Sequence, residues 1–247
     1  MSIDLPTLLR AYAIGLFPMS DGRDDPNIFW VEPERRAVLP LDGFHLSRSL
    51  RKTLRSERFS ITADQAFEDV VRLCAQSAED RPATWINHEI EHAFLALYRM
   101  GLAHSVECWG EGEDGSCTLL GGLYGLALGR AFFGESMVSR ATDASKVALS
   151  VLVARLSVGG FTLLDCQFMT PHLSSLGAVE LNADDYSLLL GDAVTGVSFD
   201  DPLSGTADFC SLERGGLDDG LDARRSMRTV SSPVSGQLIV QLLTQTS

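Results

Sequence analysis

The chain lacks several things that would have assigned it early. It has no C-x-x-C pair, and its five cysteines (Cys74, Cys108, Cys117, Cys166 and Cys210) are odd in number and widely spaced, which argues for reduced thiols and against a disulfide or zinc framework. No apolar run approaches the ~20 residues of a membrane span. The opening "MSIDLPTLLRAYAIGLFP" has neither a basic start nor a small-residue cleavage site, so no signal peptide and a cytoplasmic location are expected. The phosphate loop G-x-x-x-x-G-K-[ST], the dinucleotide fingerprint and the acyl-CoA pattern R/Q-x-x-G-x-G/A are all missing, as is any Ser-His-Asp signature. The chain therefore offers none of these motifs for a nucleotide or CoA.

What is present is an ordinary globular composition, 45% hydrophobic and 21% charged over 247 residues, enough for one large domain or two small ones. The net charge of −13 disfavours nonspecific nucleic-acid binding. Its distribution is uneven, however. Arg35, Arg36, Arg48, Arg51, Lys52, Arg55 and Arg58 face only Asp42 and Glu57 between residues 35 and 58, whereas the chain beyond 190 is rich in aspartate. Such a patch is either a solvated helix face or a surface that meets phosphates.

Local signals order the elements. Asp4 and Pro6 open a short helix that "GLFP" stops. "NIFWVEP" and "AVLP" read as short strands or extended loops, and "HLSRSLRKTLR" as a basic helix. In "ITADQAFEDVVRLCAQ", Thr62 and Gln65 stand at capping-box spacing ahead of a face made by Phe67, Val70, Val71 and Cys74. A further helix covers about 87–100. "AHSVECW", "CTLLGGLYGLAL" and "RAFFGESMV" are strands joined as antiparallel hairpins. Asp143 is expected to cap a helix ended by Gly159-Gly160, which leads into the strand "FTLLDCQF". A shorter helix follows His172. The pattern predicts an α+β domain with a mainly antiparallel sheet over about 61–190, after a stretch that carries the basic segment and before a largely irregular acidic tail over 191–247. Within that tail, "QLIVQLLTQ" reads as one docking helix.

"HEIEH", His88 to His92, matches the zinc-peptidase pattern letter for letter, but the apolar stripe Ile90, Ala93, Phe94 and Leu97 lies on the other side of the helix. The two histidines share their side with Arg99, as an exposed polar face would, and no metal site is expected.

Chemistry concentrates in three stretches. Glu135 follows a glycine in "FFGESMVSR" among Phe132, Phe133 and Met137; a carboxylate in such company carries a raised pKa or a cationic partner, for which Arg130 and Arg140 are the local candidates. In "DCQF", strand alternation puts Asp165 and Gln167 on one side and Cys166 on the other, either to cap a helix or to serve a site. The glycines of "GGLYG", Gly121 to Gly125, allow a backbone or a ligand to come close.

The series "AYAIGLFP", "FWVEPERRAVLP", "HLSRSLRK", "TWI", "AHSVECW", "LLGGLYG", "FFGESMVSRATDASKVAL", "LLDCQF" and "HLSSLGAVE" resembles the leucyl/phenylalanyl-tRNA–protein transferase family over about residues 8–190. The resemblance implies a small N-terminal domain with the basic segment over 1–60 and, over 61–190, a GNAT-type catalytic acyltransferase domain that moves leucine or phenylalanine, and less readily methionine, from aminoacyl-tRNA to the N-terminal Arg or Lys of a protein, marking it for N-degron degradation. It implies no CoA, metal or ATP, and a monomer. By the same resemblance Asp165 and Gln167 hold and help deprotonate the attacking amine, with Gln167 the closer contact, and Glu135 sits near the acceptor's cationic N-terminal residue. Leu123, Phe132, Met137, Leu156 and Leu164 match the lining of the donor side-chain pocket, and Trp30 and Trp109 match aromatics near the terminal adenosine. This chain departs from many relatives in having Trp30-Val31 where two tryptophans are adjacent, and Val138 where phenylalanine is common. Two alternatives differ in class: a GNAT-fold acyltransferase using another acyl donor, and a noncatalytic tRNA- or degron-binding module.

Overall fold

The computed structural model describes residues 3–76, 84–112, 114–214 and 233–245. The chain enters through α1 (Leu5–Ala13), where the Asp4 carboxylate accepts the Thr7 amide at 3.0 Å and Pro6 occupies the first turn. Leu8, Leu9 and Tyr12 on one face of α1 are buried, and Gly15 at φ +87° releases the chain into β1 (Phe17–Met19). That strand pairs antiparallel with β2 (Phe29–Val31) as a separate ribbon.

The main sheet, seven strands among the described residues, runs β4-β5-β6-β7-β8-β3-β9. These are β3 (Arg35–Val38), β4 (Ser60–Ala63), β5 (Ala103–Glu111), β6 (Cys117–Leu128), β7 (Ala131–Ser139), β8 (Leu163–Gln167) and β9 (Val179–Asn182). The hairpins expected for β5, β6 and β7 are present, and every pair is antiparallel except β7 with β8. The α+β architecture with a mainly antiparallel sheet is the one predicted. Residues 35–38 form an inner strand between β8 and β9, so part of the segment placed at the N-terminal side by sequence is built into this sheet.

Helices cover both faces. One face carries α3 (Phe67–Ala75) and α4 (His88–Arg99), whose Phe67, Val70, Phe94 and Leu97 share a core with Tyr12 of α1 and with Tyr186 and Leu190 of α7 (Ala183–Ala193). The other face carries α5 (Ala144–Gly159), buried almost all round, as its apolar sequence requires. Against α5 pack α2 (Arg48–Arg55), α8 (Ser211–Arg214) and α9 (Gly236–Gln245), while Leu173 of α6 (Pro171–Ser175) joins the same core. The docking helix expected from "QLIVQLLTQ" is therefore found, with Ile239, Val240 and Leu243 buried. Within the tail, residues 215–232 lie outside the described residues.

Two capping assignments are corrected. Thr62 belongs to β4, where β-branched Ile61 pairs with Cys108, and its hydroxyl donates to Glu107 at 2.6 Å. The helix begins later, at Phe67, and the Ala66 amide near its start reaches Glu107 instead of a local side chain. Asp143 occupies the cap position of α5 but in a left-handed conformation (φ +70°) without a side-chain cap bond; its carboxylate accepts Thr53 from α2 at 3.2 Å. Tertiary partners outcompeted local ones at both places.

Candidate active site

β7 and β8 pair in parallel only from Ala131 with Leu163 to Phe133 with Asp165. Past that point β7 stays with β6, while β8 stays with β3, and the two strands part. The wedge between them holds a cavity of about 520 Å³. Divergence of two parallel strands is a nonlocal feature, and it creates space at the middle of a sheet where side chains from both faces meet.

Glu135 reaches this space through a bulge. Gly134 pairs with Gly125 and Ser136 with Tyr124, leaving Glu135 as the extra residue. Its Oε1 accepts the Gln167 amide at 3.1 Å, whereas its buried Oε2 has no hydrogen-bond partner. Burial pushes the Glu135 carboxyl up to about 8; Asp165 adds to the rise, while the Tyr12 hydroxyl, Arg36 and the Gln167 amide pull against it. The sequence candidates for a cationic partner are engaged elsewhere: Arg130 bonds Asp192 and Arg140 bonds Gln76.

Gln167 closes β8 with φ +60°, a conformation that costs a residue with a Cβ about 1–2 kcal/mol. The strain is held from behind. Asp165, fully buried, accepts the backbone N–H of Gln167 at 2.8 Å, the Tyr186 hydroxyl at 2.8 Å, and Arg36 through Nε at 2.9 Å and Nη2 at 2.6 Å. Arg36 lies between the rings of Phe17 and Tyr186 and spends Nη1 on the Gly15 carbonyl at 2.8 Å. Asp165 and Gln167 thus share a sheet face as alternation predicts, with Leu164 and Cys166 turned toward the α5 core. Glu135 and Gln167 line the cavity; Asp165 sits one layer beneath it.

Of the apolar residues singled out by sequence, Leu123, Met137 and Leu164 line the cavity, together with Leu149 and Leu152. Phe132 and Leu156 are buried outside it, Phe132 against Phe161 and Phe209, and Leu156 one turn farther along α5. Sequence reasoning missed Leu149 and Leu152, although Ser145, Leu149 and Leu152 recur at i, i+4, i+7 and line the cavity together. Neither expected tryptophan lines it: Trp30 stands on β2, 41% exposed, and Trp109 donates its indole N–H to Thr62 at 2.8 Å. Trp85 lines the cavity instead. The glycines of "GGLYG" serve packing: a Cβ on Gly121 would lie 2.7 Å from the Ala144 Cβ, and one on Gly125 2.3 Å from the Phe133 carbonyl oxygen. The histidines of "HEIEH" stand on the exposed face of α4, where His88 meets Asp24 at 3.4 Å.

Residues 38–191 match the family model described as leucyl/phenylalanyl-tRNA protein transferase, and residues 1–34 match that of its N-terminal domain. The chain is 54% identical to a leucyl/phenylalanyl-tRNA--protein transferase of Rhizorhabdus wittichii, covering 100% of this chain and 99% of the relative. It is 58% identical to one of Paramagnetospirillum magneticum, over 76% of this chain and 87% of the relative. Among solved structures it resembles one titled "Crystal structure of FemX", with 10% identity and a TM-score of 0.47, covering 74% of this chain and 70% of the other.

Proposed function

The chain belongs to the leucyl/phenylalanyl-tRNA–protein transferase family, and from that premise we propose that the β7–β8 cavity moves leucine or phenylalanine, and less readily methionine, from aminoacyl-tRNA to the N-terminal Arg or Lys of a protein. The product is marked for N-degron degradation. The protein works as a cytoplasmic monomer, and no helix among the described residues is long and apolar enough to cross a membrane. The observation that carries this reading is the single cavity holding a leucine-rich wall beside the Glu135–Gln167 pair.

The donor side chain enters the wall of Leu123, Met137, Leu149, Leu152 and Leu164. Apolar contacts discriminate by only about 1–3 kcal/mol per methylene, so Leu, Phe and Met all fit to different degrees. The α-amine of the acceptor attacks the ester carbonyl, the C–N bond forms, the C–O bond to the ribose breaks, and the amine proton leaves finally with the ribose hydroxyl. The ester is already activated, so the site has to align partners and stabilise the tetrahedral intermediate, without CoA, metal or ATP. Gln167 contacts the reacting amine. Glu135, with an unpartnered Oε2, receives the acceptor's cationic N-terminal residue. Asp165 acts through Gln167, fixing its strained backbone and the direction of its amide. Trp85 is placed to stack on the terminal adenosine, an interaction worth about 1–3 kcal/mol. The exposed cations Arg48, Lys52 and Arg55 of α2, none ion-paired among the described residues, meet the RNA backbone.

Radiolabelled Leu-tRNA or Phe-tRNA incubated with the protein and an Arg- or Lys-initiated peptide should label the peptide. An Ala-initiated peptide should stay unlabelled, and ribonuclease treatment of the donor should abolish transfer. Label appearing equally on all peptides would defeat the assignment.

A further inference from the structure

A second cavity, about 670 Å³, lies between α2 and α9 and is lined by Asp42, Phe44, His45, Arg51, Leu243 and Thr244. Its Arg51 is anomalous. The Nε is buried and has no hydrogen-bond partner, and the guanidinium forms no ion pair among the described residues. A cation with a dry, unsatisfied donor is costly unless something completes it. The planar donor fork of arginine matches phosphate oxygens.

The cavity is also tied to the transferase site. His45 donates its amide to the Leu176 carbonyl at 2.9 Å, and Gly177 packs on the Gly43 carbonyl. Both contacts lie just past the end of α6, whose first turn presents His172 to the catalytic cavity. α6 thus stands between the residues that touch the two cavities. The exposed cations of α2 continue beyond it.

We propose that this second cavity, through Arg51 and His45, holds a phosphate of the single-stranded 3′ end of the RNA donor while its terminal aminoacyl-adenosine occupies the catalytic cavity. This rests on the transferase reading above. Arg51 supplies the fork, and His45 lines the same cavity.

The test compares two donors, full aminoacyl-tRNA and aminoacyl-adenosine, which carries no phosphate. Arg51→Ala should raise KM for aminoacyl-tRNA about tenfold and flatten its log–log salt dependence by about 0.7, the slope of one single-strand phosphate. Its KM for aminoacyl-adenosine should shift less than twofold. Arg51→Lys, which keeps the charge and loses the fork, should fall between. Equal losses on both donors would make Arg51 a folding residue and overturn the proposal, as would no change on either. Inorganic phosphate, titrated by calorimetry, separates the sources: loss of its binding in Arg51→Ala with an unchanged KM for aminoacyl-tRNA would assign the cavity to a free phosphate and overturn the RNA version. Wild-type protein that transfers from neither donor would overturn this inference and the transferase reading together.

Discussion

At the tip of β8, a glutamine held at φ +60° and a carboxyl raised to about 8 meet across one 3.1 Å hydrogen bond. Both are local costs of the kind that cluster at working sites. The Glu135 cost has a defined pH signature. Its unfolded value is 4.5 and its folded value about 8, so between these the folded chain keeps a proton that the unfolded chain has lost. Its contribution to stability is full below about pH 4.5, and it is lost as pH rises through about 8. Glu135→Gln removes this dependence. Thermal melts should show the variant gaining on wild type progressively from pH 5 to pH 8, while its rate of transfer falls about 10²-fold. A variant that loses stability at pH 8 would show that Glu135 is held ionised by its surroundings.

Among the elements, α9 shows how a short apolar run acts once it has a partner. Ile239, Val240 and Leu243 are buried against α2 and α5, and Gly236 lies so close to Leu54 that a Cβ would stand 2.0 Å from its carbonyl oxygen. Ile239→Ala should cost about 2–5 kcal/mol by chemical denaturation. A cost under about 1 kcal/mol would mean that α9 undocks readily. The periodicity of "QLIVQLLTQ" announced this helix, as alternation announced the shared face of Asp165 and Gln167. Thr62 and Gln65 misled because capping-box spacing is a local signal, and β4 found stronger partners in β5. The wedge between β7 and β8 was invisible for the opposite reason. It depends on which strands separate, and no window of sequence contains both. Trp85 was passed over for the same cause: a residue from the segment before α4 becomes a cavity wall only after folding. Arg36 likewise looked like one more base in a basic stretch, yet it is buried and pairs with Asp165, 129 positions away.

Over the whole molecule, charge is segregated. A chain of net −13 presents α2 with Arg48, Lys52 and Arg55 outward and no acid in its first turn. This favours RNA held by a few defined phosphates over diffuse attraction. Replacing Arg48, Lys52 and Arg55 together by alanine should reduce the salt slope of tRNA binding by about 2–3, and leave transfer from aminoacyl-adenosine within twofold. An unchanged slope would place the RNA on another surface.

The guanidinium of Arg36 has a last consequence. It is a rivet through three layers of chain: the Gly15 carbonyl ahead of the first ribbon, the inner strand that carries it, and the carboxylate under Gln167. Removing residues 1–34, the span matched by the N-terminal family model, would pull the outermost layer away. The remaining piece would keep its sheet and still lose the Glu135–Gln167 geometry, because the strained turn at Gln167 would have lost its backing.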